Sequence, residues 1–336
     1  MRQFITSICV LSLYVTAYPQ FVPSTLGVPV WSNDGAQLLF ESTDGIYTVS
    51  SDGVNVNKVT DGQSPSWTAD GRIVFRGTGG FYTVNADGSQ RVLLFAGGIS
   101  VSPNGNKVLF VEKAGQGGSL KMVLKAINTD TQVVTELYTL YDSDRLGGFV
   151  WSPDSNKIAF QIARGQGMSE PVVLTVIPNY GVVPGNEGGP FSWAPDSNHI
   201  LLTRYDRNKR VFSVYIVDIG TRTETLLFET VVYVGSLSLS PDGKRIALAL
   251  FSNDTWDIFV RDIDGTESVR LTSNPDQEVN QEVNLSWSPD GTRIAYATYG
   301  VDGSGILQVH ILDVEGGHSV TEVESLSWGK VKATPQ

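Results

Sequence analysis

Seven times along its 336 residues the chain repeats one phrase: a large apolar residue, then Ser, Thr or Ala, then Pro, Ala or Asn, then Asp or Asn, then Gly or Ser. The copies begin at Trp31, Trp67, Val101, Trp151, Trp193, Leu239 and Trp287, at spacings of 36, 34, 50, 42, 46 and 48 residues. A period of that length is the mark of a propeller blade or a solenoid repeat, and no pattern of helical period accompanies it. Ser-Pro-Asp-Gly puts Ser at the first position of a turn, Pro where φ is already near −65°, and Gly at the end, which are the preferences of a type I turn.

Two residues after each turn comes a short apolar run: Leu38 to Phe40, Ile73 to Phe75, Val108 to Phe110, Ile158 to Phe160, Ile200 to Leu202, Ile246 to Leu248 and Ile294 to Tyr296. A continuous apolar run of this length reads as a strand buried on both faces. A third strand follows in most copies, as in Ile46 to Val49, Phe81 to Val84, Phe212 to Val217 and Ile258 to Val260, and often a second turn such as Asp52-Gly53 or Asp264-Gly265. Arg270 to Thr272 is typical of the weaker fourth strand. The reading is all-β, a β-propeller of seven four-stranded blades, with six or eight as the alternatives.

Strand parity assigns the two faces of such a ring. First-to-second and third-to-fourth turns share one face, and they are short and uniform. Second-to-third loops and inter-blade connections share the other, and they hold the length variation: Glu112 to Ser119, Tyr141 to Gly148, Ala163 to Glu170, Gly185 to Pro190, Arg204 to Lys209 and Ser273 to Val283. Variable loops on a rigid scaffold are where binding is expected. Residues 28–330 are assigned to the propeller and 331–336 to a C-terminal tail; Leu326-Ser327-Trp328 echoes a first strand and leaves open how the ring closes.

Met1-Arg2-Gln3 and the apolar run from Phe4 to Val15 have the form of a secretory signal peptide, with cleavage expected after Ala17 and a short linker over 18–27. The run is shorter than the roughly 20 residues a spanning helix needs, so no stable membrane insertion is expected. Cys9, the one cysteine, lies within that run, so the mature chain lacks disulfides, thiol nucleophiles and cysteine-held zinc. Export without disulfides suits a bacterial periplasm or exterior. With a net charge of −11 the chain repels phosphate backbones, which excludes nucleic acid as an expected partner.

The phrases Trp151 to Phe160, Ser240 to Leu248 and Trp287 to Tyr296, with the strand and turn Trp256 to Gly265, resemble the WD-like propeller repeats of the TolB family. The resemblance spans residues 28 to 328 and implies the propeller domain alone, since only Tyr18 to Gly27 separate the expected cleavage site from the first blade. It implies a ring-shaped envelope protein. The same repeat also builds peptidase-associated propellers and polysaccharide lyases.

No catalytic constellation emerges. Gly-x-Ser-x-Gly is absent, and Gly303-Ser304-Gly305 lacks its spacing. His199 stands in the slot filled by Lys107, Lys157, Arg245 and Arg293 in sister copies and reads as a solvated strand residue; His310 and His318 are scattered. No catalytic residue, metal site or cofactor is therefore assigned; Asp142-Ser143-Asp144 is a fragment of a calcium site at most. The Asp-Gly turns differ from sialidase Asp-boxes, which carry a residue between Asp and Gly.

One locally basic stretch stands out on an acidic chain: Arg204, Asp206, Arg207 and Lys209, joined on the same expected face by Arg145 and Arg164. These six are the candidate partner-binding residues, suited to an acidic protein or a polyanionic glycan. The chain reads as a monomeric, non-catalytic scaffold, with a channel-centred glycan lyase or hydrolase as the alternative.

Overall fold

The computed structural model of the protein describes residues 29–114, 121–140, 144–164, 172–177, 180–183, 190–252, 255–265, 267–272, 285–299, 307–315, 320–324 and 332–334. The expected signal peptide and linker lie outside the described residues, as do Asp142, Ser143, His318 and Leu326 to Trp328.

Every described element is a strand, and the strands form seven antiparallel sheets in simple meander order. Blade 1 comprises Val30–Trp31, Gln37–Ser42, Gly45–Ser50 and Val56–Thr60. Blade 2 comprises Gln63–Trp67, Ile73–Gly77, Gly80–Val84 and Val92–Ala96, and blade 3 Ser100–Val101, Lys107–Ala114, Lys121–Asn128 and Val134–Leu140. Blade 4 is built from Asp144–Trp151, Ile158–Arg164, Val172–Ile177 and Tyr180–Val183. Blade 5 is built from Phe191–Trp193, His199–Asp206, Val211–Asp218 and Glu224–Thr230. Blade 6 follows with Tyr233–Leu239, Arg245–Ser252, Thr255–Asp262 and Ser268–Arg270. Blade 7 has five strands: Leu285–Trp287, Arg293–Tyr299, Leu307–Asp313, Val320–Glu324 and Lys332–Thr334.

The second strand of each blade is the apolar run after the repeated turn, and it is buried as expected, apart from the partly buried Phe110 of blade 3. Successive side chains point to opposite faces of a strand, so each run feeds two inter-blade cores. Leu201 packs into the blade 5/6 core with Val234, Leu237 and Leu248, while Ile200 and Leu202 pack into the 4/5 core with Ala159 and Trp193. Leu38 and Phe40 join Ala295, Ala297 and Val309 in the 7/1 core. That contact closes the ring. Among the described residues blade 1 takes its strands from residues 30–60 and blade 7 takes its own from 285–334, so packing and side-chain hydrogen bonds close the ring and no described strand is shared across the seam.

Two expected boundaries differ. Lys332–Thr334, assigned to the tail, pairs with Val320–Glu324 as the fifth strand of blade 7. Several segments read as loops begin or end as strand: Glu112 to Ala114, Asp144 to Gly148, Ala163-Arg164 and Arg204 to Asp206. In blade 5 the strand continues past the sealed run Ile200 to Thr203 into Arg204 to Asp206, where alternation no longer reports burial. No described helix is long and apolar enough to cross a membrane.

Candidate functional site

The repeated turns form a belt that satisfies itself. In blade 1 the Ser32 hydroxyl donates to Asp34 Oδ1 at 2.6 Å, Asp34 Oδ1 accepts the Ala36 amide at 3.0 Å, and Ser32 Oγ accepts the Gln37 amide at 2.9 Å. Blades 3, 4, 6 and 7 repeat this with Ser102, Ser152, Ser240 and Ser288, each fully buried. The Ser288 hydroxyl and then the Thr292 amide hold the Asp290 carboxyl down to about 2.

The same belt ties blade to blade. Five indoles donate backwards into the preceding first strand: Trp31 to the Ser286 carbonyl, Trp67 to Val30, Trp193 to Val150, Trp287 to Ser238, and Trp151 to the Ser100 hydroxyl, all at 3.0 to 3.1 Å. Basic side chains reach forwards to carbonyls of the following blade: Lys107 to Ser155, Lys157 to Ser197, Arg245 to Gly291 and Arg293 to Ser51. Arg245 and Arg293 also lie over the Trp287 and Trp31 rings, at 5.3 and 4.7 Å. Neither tie is available across 5/6, because Leu239 replaces the tryptophan and His199 turns back to Asp196 Oδ2 at 2.6 Å within its own blade. His199 is thus held between Asp196 and Asp218, where the sequence reading had it merely solvated.

On the opposite face the six predicted residues separate into distinct roles. Arg204 forms a two-pronged pair with Glu224, both contacts at 2.7 Å, and lies over the Tyr215 ring at 4.7 Å, so its charge is spent within blade 5. Asp206 organises the turn, accepting the Asn208 and Lys209 amides at 2.8 and 3.0 Å, which lowers its pKa. Lys209 is well exposed, 3.7 Å from Glu229, and Arg207 shares its turn. Arg145 and Arg164 lie at the same end of blade 4, Arg145 paired in register with Ala163 and Arg164 with Asp144.

Beside this turn runs a feature that the sequence reading missed. Tyr205 stands opposite Phe212 at the end of the blade 5 hairpin, and Tyr233, Phe251 and Trp256 stand opposite one another on three strands of blade 6. The rings touch in series across the 5/6 junction: Tyr205 to Phe212 at 4.7 Å, Phe212 to Tyr233 at 5.4 Å, Tyr233 to Trp256 at 5.9 Å and Trp256 to Phe251 at 5.1 Å. Trp256 can lie across the blade 6 first strand because residue 235 is glycine; a Cβ there would overlap its ring. Val231, 77% exposed, stands two residues before Tyr233 in the connection between blades 5 and 6. The signal available in the sequence is positional: all five rings fall at strand ends on the long-loop side.

At the 1/2 junction Glu41, 4% exposed, accepts the Ser64 amide at 2.7 Å, and burial raises its pKa. Ser64 holds φ at 51° next to Pro65, a conformation the buried carboxylate helps to pin. His310 is 4% exposed against Tyr296, ring centroids 4.6 Å apart. Among the described residues no three His, Cys, Asp or Glu side chains gather as metal ligands.

Residues 190–336 match the model of PD40, the TolB β-propeller domain. Over those residues the repeat is of the TolB propeller type. The ring is similar in fold to an oligogalacturonate lyase in complex with manganese, with a TM-score of 0.66 and 13% identity over 87% of this chain and 89% of that one. The oligogalacturonate lyase of Vibrio parahaemolyticus gives 0.65 and 14% over 88% and 91%. The Cps50 (Swd1) β-propeller domain of Myceliophteria thermophila gives 0.55 and 15% over 87% and 98%. Identities this low establish the shared fold alone. No curated protein matches the chain in sequence.

Proposed function

We propose that this TolB-type propeller is an exported, non-catalytic scaffold of a bacterial envelope or exterior, which binds a protein or glycan partner with its long-loop face. The observation that carries the reading is the contrast between faces. On the turn face the hydroxyls, carboxylates and indoles are engaged in the fold itself, leaving few groups to recognise anything else. On the other face half-buried rings and the exposed Lys209 stand at the ends of rigid strands, the arrangement in which binding residues are positioned without ordering cost.

The test compares co-purification from envelope extract by the wild type, by Arg207→Ala/Lys209→Ala, and by Asn33→Ala on the turn face. Loss of partners in the first variant alone supports the reading, and equal capture by all three overturns the assignment of faces. A second reading, an enzyme acting on acidic glycans, is favoured by Glu41 at the blade 1/2 junction, whose raised pKa suits a proton donor. Turnover of any member of a polysaccharide panel, abolished by Glu41→Gln, would establish that reading instead.

A further inference from the structure

We propose that the aromatic row at the blade 5/6 junction is a docking site for an acidic protein segment carrying aliphatic or aromatic side chains. The inference rests on the scaffold reading above and names the class of partner. Three features of the site select that occupant.

The rings do not present a flat platform. Phe212 meets Tyr233 at 88° and Tyr233 meets Trp256 at 72°, so the rings are crossed edge to face. A sugar stacks best on open parallel ring faces, whereas crossed rings offer edges and faces to branched or aromatic side chains. Val231 points the same way, since the residue is 77% exposed and its side chain offers a hydrated sugar no hydrogen bond and an apolar side chain a direct contact.

Charge supplies the second half of the specificity. The turn Asp206-Arg207-Asn208-Lys209-Arg210 carries three cations against one carboxylate, with Glu229 a second carboxylate 3.7 Å from Lys209, on a chain of net charge −11. Its shape is fixed by the Arg210 amide on the Asp206 carbonyl at 2.6 Å and by the Asp206 side chain on two further amides, so the cations project from a rigid turn beside Tyr205. Aromatic residues and arginine are the groups that concentrate binding energy in protein interfaces, and a charged rim governs encounter and salt dependence.

The place in the ring is the third feature. Across 5/6, as across 2/3, the motif indole and the Lys/Arg reach to the next blade's turn are missing, and the junction is held by apolar packing of Leu201, Val214, Val234 and Leu237 with Arg261 of blade 6 over the Phe228 ring of blade 5 at 4.7 Å. A ligand spanning Tyr205 of blade 5 and Trp256 of blade 6 bridges the two blades alongside the Phe212–Tyr233 contact, where the motif ties are missing.

The test is selection from a random dodecamer peptide library on the wild type, followed by titration of the selected peptides and of oligogalacturonate. Wild type is compared with Val231→Asp, Tyr205→Ala and Lys209→Glu, each first shown to melt as the wild type does. Expected are acidic peptides with at least one aliphatic or aromatic residue, weakened about tenfold or more by Val231→Asp and Tyr205→Ala. Lys209→Glu should weaken them too and flatten their salt dependence. Basic or neutral peptides, no selected peptide, or affinities unchanged in all three variants overturn the inference and leave the scaffold reading standing. Oligogalacturonate binding that alone responds to the variants overturns the choice of occupant. Polysaccharide turnover would instead remove the scaffold reading itself.

Discussion

The amide of Asn104 donates to the hydroxyl of Ser155, 3.0 Å away on the following blade, and Asp154 makes the same contact with Ser197 one blade further on. Ser155 and Ser197 are the two places where serine replaces the turn glycine, and they hold φ at 61° and 58°. Serine pays a conformational penalty there that glycine would not, and the hydroxyl offsets it by capping a neighbour's turn. Ser155→Ala should therefore cost about 1 to 2 kcal/mol, since it keeps the strain and strands the amide. Ser155→Gly should cost less, by roughly 0.5 to 1 kcal/mol, because it relieves the backbone. Denaturant midpoints of the two variants check the order, and alanine proving the milder change would refute this account.

Gly235 decides the position of Trp256. With a Cβ at 235 the indole must leave the first strand of blade 6, which costs about 1 to 3 kcal/mol of repacking and breaks the contact with Tyr233. Gly235→Ala is expected to lower the melting temperature and shift the tryptophan emission, while Trp256→Phe in the same background recovers part of the loss. Wild-type stability in Gly235→Ala would show that the indole does not rest there.

His310 makes stability depend on acid. Burial lowers its pKa from 6.5 to about 4, so the native state holds it neutral while the unfolded chain protonates it below 6.5. Its contribution is complete above pH 6.5 and is lost as pH falls towards 4. By linkage the loss between pH 7 and pH 5 is about 2 kcal/mol. Chemical denaturation across that range should show the decline, and His310→Phe, which keeps a ring against Tyr296, should remove most of it. An unchanged slope in the variant would place the acid sensitivity elsewhere.

Arg204 and Glu224 should behave as a structural pair. Their side chains are 20% and 30% exposed, and Arg204 lowers the Glu224 pKa, so the stabilisation is present above about 4.5 and is lost on acidification. Each single alanine substitution should cost about 1 to 2 kcal/mol, with a coupling of roughly 1 kcal/mol in the double-mutant cycle after allowing for solvent screening. Strictly additive effects would mean that the contact contributes nothing. Ligand binding on the long-loop face should depend on Lys209 and not on Arg204.

Much of this molecule is written locally. The seven turns, the apolar strand after each and the short third strands follow from turn chemistry and from runs too apolar for an exposed surface, and they appear in the structure as seven sheets. The parity of an up-and-down blade then assigns the two faces without any long-range knowledge. The basic turn at 206–210 was legible for the same reason, since its residues are neighbours in the chain.

What the tertiary structure alone decided depends on residues far apart in sequence. Arg204 looks like its neighbours in the chain, and only the folding of blade 5 brings Glu224 to it, 20 residues on. The aromatic row draws on five strands and two blades, with no spacing that a repeat could reveal, because its members meet only when blade 6 is laid against blade 5. Ring closure was likewise undecided until Trp31 met the Ser286 carbonyl, 255 residues away. Local preferences act over a few residues and determine the blade; which side chains remain to meet a partner is set by how one blade covers the next.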